Sequence, residues 1–284
     1  MRFASWSAGL ALALCASLAF AADLNRSGGP YVPTPPTVVD AMLELAGVGP
    51  RDFVIDLGSG DGRIVLAGAT RYKASGMGVD IDGELVELAN ASARRLGVSE
   101  RVQFHQLDVF AADLSRATVL TLYLLPGMME SLRPKLLKEL KPGTRIVSHD
   151  FDFGEWKPDR TVEVSTPEKY EISGNWTSSV HLWKVPAAVE GAWQVNGAGG
   201  GNGPFRLEVK QRYQHFEGRL VRDSQEQVLR DGHIEGARIR FSVPGPDGRL
   251  EVYTGTVNGG QISGEVGAKG RTPAARWSAA RVVQ

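Results

Sequence analysis

Apolar residues along the first two thirds of the chain recur in two alternating rhythms. Helical spacing over residues 38–45, 63–72, 84–96 and 128–140 predicts four amphipathic helices. Between them, short apolar runs at 53–57, 76–80, 102–107, 119–125 and 145–149 predict strands. Strands that alternate with helices at this spacing imply right-handed crossovers, hence a parallel sheet covered on both faces. Two further strand-like stretches, near 161–164 and 180–185, are expected to finish the sheet at one edge. Ahead of the first helix, Gly28-Gly29-Pro30 and the prolines from Pro33 to Pro36 predict an extended lead-in, because each proline disfavours helix in the residue before it.

At Pro186 the texture changes. Helical periodicity stops, half of the 34 glycines fall beyond this point, and two-residue alternation marks strands at 205–213, 234–243, 250–257 and 261–266. Turns are expected at Pro246-Asp247-Gly248 and Asn258-Gly259-Gly260, with a flexible stretch from Gly197 to Gly203. Seven or eight short strands in about 99 residues suit an antiparallel barrel or sandwich, with Trp193 and Trp277 as core anchors. The expected organisation is therefore a leader over 1–22, an α/β domain over 23–185 and an all-β domain over 186–284.

Composition narrows this picture. With 42% hydrophobic and 23% charged residues, the 284-residue chain is globular, and its 32 basic residues balance 32 acidic ones. No overall field draws it to nucleic acid or to an anionic membrane, so no nucleic-acid partner is expected. The first 22 residues read as a secretory signal: Arg2 is a short positive start, 6–20 is apolar or small, and Ala19-Phe20-Ala21 is a small-x-small cleavage site. Export to the periplasm or medium is the expectation, with an uncleaved anchor as the minor alternative and no span in the mature chain. The only cysteine, Cys15, lies inside that leader, so the mature chain has no disulfide, cysteine-ligated metal or thiol nucleophile. The five histidines show no metal-ligand spacing, and no metal site is expected. His149-Asp150 is the pair to watch, because it ends a strand at the carboxyl edge where open sheets bind ligands.

The chemistry concentrates in Asp56-Leu57-Gly58-Ser59-Gly60-Asp61-Gly62-Arg63, where a strand runs through a glycine-rich turn into a helix. Such a turn brings backbone N–H groups close to a ligand. Asp80 ends the next strand, about 20 positions on, where a carboxylate accepts both hydroxyls of a ribose. Asp108 follows the third strand, where a nucleoside base edge would lie. Two acidic residues have plainer readings as well: Asp61 as a cap for the helix that begins near Gly62, and Asp82 as the start of a turn.

These motifs resemble the class I S-adenosylmethionine-dependent methyltransferases. Within that class, Tyr31-Val32-Pro33-Thr34-Pro35, Asp61-Gly62-Arg63-Ile64-Val65, Leu122-Tyr123-Leu124-Leu125-Pro126 and Arg145-Ile146-Val147-Ser148 are similar to the lysine methyltransferases that include the mitochondrial ATP synthase c-subunit enzyme. The resemblance covers roughly residues 30–185. It implies S-adenosyl-L-methionine as cofactor, with Asp56, Gly58 and Gly60 framing its methionine portion, Asp80 on the ribose and Asp108 on the adenine. It also implies that Tyr31 and Thr34 close over the site, and that Tyr123 and Pro126 border the acceptor, a lysine of a protein substrate. Asp61 belongs to the same candidate set. The expected fold is a Rossmann-like sheet with helices on both faces, followed by the β-domain, which is expected to help choose the target. Against this enzyme stands one alternative: an exported binding protein with a catalytically silent methyltransferase fold and a ligand-binding β-domain.

Overall fold

The computed structural model describes residues 29–170, 174–197, 204–222, 225–245, 248–273 and 275–282. The leader expected over 1–22 lies outside the described residues, as do most of the Gly197–Gly203 stretch and two residues of the turn at Pro246-Asp247-Gly248. The chain divides into two compact units: one up to Glu139 together with Ile146–Trp183, the other Leu140–Arg145 together with Lys184–Gln284.

The first unit holds helices α1 (Pro36–Ala46), α2 (Arg63–Arg71), α3 (Gly83–Arg95) and α4 (Pro126–Glu139). Its strands are β1 (Phe53–Leu57), β2 (Ser75–Asp80), β3 (Val102–Gln106), β4 (Val119–Leu122), β5 (Arg145–His149), β6 (Arg160–Ser165) and β7 (Thr177–Lys184), in the order β3-β2-β1-β4-β5-β7-β6. The ladders β1–β2, β1–β4 and β2–β3 are parallel, and β6–β7 is antiparallel. Strand order reverses between β1 and β4, and open sheets of this kind bind ligands above the carboxyl ends of the strands at that point.

Local chemistry explains the helices around this point. Pro36 opens α1, whose face of Val38, Val39, Met42, Leu43 and Ala46 is buried, and left-handed Gly47 closes it. Asp82, expected to start a turn, instead caps α3, accepting from the N–H groups of Glu84 at 2.9 Å and Leu85 at 3.3 Å. By contrast, α2 starts from Gly62, which has no side chain to cap it, and the N–H of Arg63 at its start is met by Asp61 Oδ1 at 3.2 Å.

The second unit carries β8 (Gly191–Asn196), β9 (Phe205–Arg212), β10 (His215–Arg222), β11 (Gln225–Val228), β12 (Arg230–Glu235), β13 (Arg238–Pro244), β14 (Leu250–Asn258), β15 (Gln261–Ala268) and β16 (Ala275–Arg281). Eight of these close an antiparallel barrel, because β9 pairs with both β8 and β10, and β11 adds outside β10. A barrel, not a sandwich, is thus formed. Eight strands leave an interior that side chains fill, and here Trp193, Phe205, Phe241, Tyr253 and Trp277 fill it. Phe241 and Tyr253 stack at 4.9 Å, with Trp277 edge-on to Tyr253 at 5.5 Å. The single strand expected over 234–243 is two. Gly236, at φ +60°, turns the chain in a two-residue hairpin that pairs Glu235 with Arg238.

Candidate active site

Above the reversal point lies a cavity of about 400 Å³, lined from the ends of β1 to β5 and from the lead-in. It brings together Tyr31, Thr34, Asp56, Gly58, Gly60, Asp61, Asp80, Asp108 and Tyr123, nine of the residues singled out from sequence. Pro126 does not line it. That proline is exposed at the first turn of α4, and β4 ends at Leu122, so Leu124, Leu125 and Met128 form the wall instead.

The glycine turn is built for close approach. Gly58 and Ser59 both donate their N–H groups to Val79 O, which pins the turn to β2. Gly60 has φ +52°, and a Cβ there would lie 2.5 Å from Tyr31 Cε2, so only glycine lets the Tyr31 ring lie on the turn. Gly60 N–H donates to Asp80 Oδ2 at 2.7 Å, and Asp82 N–H donates to Asp80 Oδ1 at 3.0 Å. Both carboxylate oxygens of Asp80 are therefore oriented before any ligand arrives, each with lone-pair capacity remaining. Asp108 accepts from Phe110 N–H at 2.9 Å and caps the short turn Val109–Ala111.

Asp56 is fully buried and accepts from Thr121 Oγ1–H at 2.7 Å. Burial raises its carboxyl to about 7; the Thr121 bond opposes this, and the charges of Asp80 and Asp61 add to it. Asp61 goes the other way. Burial works to raise its carboxyl, but hydrogen bonds from Arg63, at 2.9 Å from Nε and 2.7 Å from Nη2, and the guanidinium charge hold it below the usual carboxylate range. Arg63 also donates to Thr34 O at 2.9 Å and reaches Tyr31 Oη at 3.4 Å. It straps the lead-in to the glycine turn, a role that sequence reasoning missed although the residue stands in the motif. Asp61 does accept from Arg63 N–H at 3.2 Å, yet its principal partner is the guanidinium.

At the acceptor side, Tyr123 is half-buried. Burial, then the charge of Asp150, raises its phenol. His149 is fully buried behind Tyr123, with ring centroids 3.9 Å apart, and does not line the cavity. Phe151 lines it 6.1 Å from Tyr123.

Among the described residues, five lining carboxyl groups (Asp56, Asp61, Asp80, Asp82 and Asp108) face one lining cation, Arg63. A compact acidic cavity with a glycine turn, a preset carboxylate at the end of β2 and an apolar outer wall fits a cationic nucleoside such as S-adenosylmethionine.

This fold and site define a class I S-adenosylmethionine-dependent methyltransferase. A family model described as the ANTKMT methyltransferase domain matches residues 56–160. A protein-lysine N-methyltransferase of Saccharolobus islandicus is 42% identical over 157 residues, which are 55% of this chain and 93% of that protein. The chain belongs to the same methyltransferase family. It is also similar to the mouse adenine nucleotide translocase lysine N-methyltransferase, at 35% identity over 51% of this chain and 64% of that one. Among solved structures, an RNA methyltransferase of Salinibacter ruber in complex with S-adenosyl-L-homocysteine is 49% identical, with a TM-score of 0.51 over 56% of this chain and 96% of that chain. S-adenosylmethionine is the cofactor of the enzyme described here.

Proposed function

We propose that this enzyme methylates lysine side chains of protein substrates. The observation that carries the proposal is the acceptor side of the cavity, where Leu124, Leu125, Met128 and Phe151 beside Tyr123 suit a desolvated amine and, among the described residues, offer a phosphodiester no cation. The names of the Saccharolobus and mouse relatives support the same acceptor. The RNA named for the Salinibacter protein would have to bring its phosphates to the acidic mouth. The reading as a silent binding protein is not favoured, since the carboxylates at 56, 80 and 108 and the open cavity are all kept.

S-adenosylmethionine supplies a methyl carbon on a sulfonium, ready for in-line displacement. The chain's own work is alignment and exclusion of water. The turn from Gly58 to Gly60 and the carboxylate of Asp80 are assigned to orientation of the nucleoside, Asp56 to the methionine end and Asp108 to the base. An acceptor amine attacks only as the free base, so it must lose its proton on the way in. A wall of Tyr31, Leu124, Leu125, Met128 and Phe151 desolvates it, which lowers the pKa of an ammonium. The test is mass spectrometry of poly-L-lysine after incubation with the full chain and S-adenosylmethionine. Single-methyl increments that disappear when the amines are acetylated beforehand support lysine; increments that survive acetylation refute it.

A further inference from the structure

A polar cluster packs behind Tyr123. His149 Nε2 lies 3.0 Å from Ser178 Oγ on β7, and Nδ1 lies 3.4 Å from Thr34 Oγ1 in the lead-in. Lys169, itself buried, donates to the same Ser178 Oγ at 3.1 Å and to the Asp150 carboxylate. Asp150, held at φ +61°, accepts from Ser179 N–H at 3.1 Å through its other oxygen. The flat face of the imidazole backs Tyr123, with the rings tilted by 32°.

Burying an imidazole, an ammonium and a carboxylate together carries a desolvation cost that an apolar floor would avoid. The cluster therefore answers to something besides packing. What it reaches is informative: of its neighbours, Thr34 and Tyr123 line the cavity, and both touch His149.

We infer that His149 is a positioning residue for the methyl acceptor, holding Tyr123 by stacking and Thr34 by hydrogen bond so that both present fixed surfaces to the group being methylated. Ser178 fixes the ring from behind, and Lys169 with Asp150 fixes Ser178. The inference needs only the methyltransferase activity; it does not depend on the acceptor being lysine. The groups that face the imidazole are Tyr123 after β4, Thr34 in the lead-in, Ser178 on β7, Lys169 in the turn before β7, and Asp150 beside it. Burial lowers the imidazole to about 4, Asp150 opposing and Lys169 assisting, so the ring meets the acceptor side uncharged. A cation arriving at Tyr123 then meets an uncharged ring, with the Lys169 ammonium behind it paired to Asp150.

The experiment compares the full-length wild type with H149F, H149Q and S178A. Calorimetry with S-adenosyl-L-homocysteine reads cofactor affinity. Initial rates at saturating S-adenosylmethionine, with poly-L-lysine and total RNA as alternative probes, read the acceptor. H149F keeps a stacked ring but loses both hydrogen bonds; it is expected to lower kcat/KM for the methylated probe about tenfold or more, with cofactor affinity within about threefold. H149Q, which can reach Ser178, is expected to recover part of the loss. S178A reports the same split through a milder change should H149F fail to fold. Methylation of RNA instead of poly-L-lysine would sink the lysine proposal and leave the split readable on RNA. Unchanged acceptor kinetics in H149F and S178A, or equal losses of cofactor and acceptor binding, would overturn the role of His149.

Discussion

The backbone N–H of Gly60 donates to Asp80 Oδ2 at 2.7 Å, joining the turn after β1 to the last residue of β2. One carboxylate thus shapes the turn and offers its remaining lone pairs to the cavity. Replacement of Asp80 by alanine is expected to weaken S-adenosyl-L-homocysteine binding more than tenfold, since a charged acceptor for two hydroxyls contributes about 1.5–3 kcal/mol. Asparagine, which can still accept from Gly60, should lose less. Calorimetry on both variants checks this, and an unaltered affinity in D80A removes Asp80 from the site.

Much of the α/β unit was legible because its signals are local. The helices expected at 63–72 and 84–96 form at 63–71 and 83–95, and Asp56, Asp80 and Asp108 converge because the strand ends that carry them are neighbours in a parallel sheet. Two things were not legible. The hairpin at Gly236 shows in the sequence only as a shift of parity between Ile234 and Ile239, which a bulge inside one strand would produce as well. The partnership of Arg63 with Thr34 spans 29 positions, and that of His149 with Ser178 another 29; long-range pairing of this kind leaves no periodic trace.

Asp56 makes cofactor binding depend on pH. Its folded carboxyl is raised to about 7 against an ordinary value of 3.8, so below 7 the free protein holds a neutral acid there. A cationic ligand favours the carboxylate, and affinity for S-adenosylmethionine should rise from pH 6 to 8, by up to about tenfold per unit below 7, with proton release on binding. Calorimetry in buffers of different ionisation enthalpy measures that release. The stability sign is opposite: a raised carboxyl contributes most below its unfolded value, and the contribution is lost as pH passes through about 7. D56N should therefore compare best with the wild type above pH 7, and a stability difference independent of pH would show that Asp56 is ionised throughout.

Arg63 straps Thr34 to the glycine turn through a fork that lysine cannot reproduce. R63K should weaken cofactor binding and expose the lead-in to chymotrypsin at Tyr31. Limited proteolysis with and without S-adenosyl-L-homocysteine tests this, and a variant as protected as the wild type would count against the strap.

We propose that residues 23–185 bind cofactor without the barrel. A cut after Val185 keeps the hydrogen bonds of Gly143 and Thr144 to Val185, and every cavity residue stays on the same side. A soluble fragment with wild-type affinity is the expected result; an aggregated one would show that the barrel completes the first core. We also propose that a leader within residues 1–22 is removed: mass spectrometry of the native protein should find its amino terminus at Ala22 or Asp23, and a retained Met1 would reject cleavage.

The most direct measurement is a competition. Poly-L-lysine and total RNA, together in one reaction with the full chain and methyl-labelled S-adenosylmethionine, offer the acidic cavity a cation and a polyanion at once. Label recovered as methyl-lysine, with none in RNA, is the predicted result. Label in RNA with none in poly-L-lysine would contradict the account, because the cavity would then not be choosing an amine.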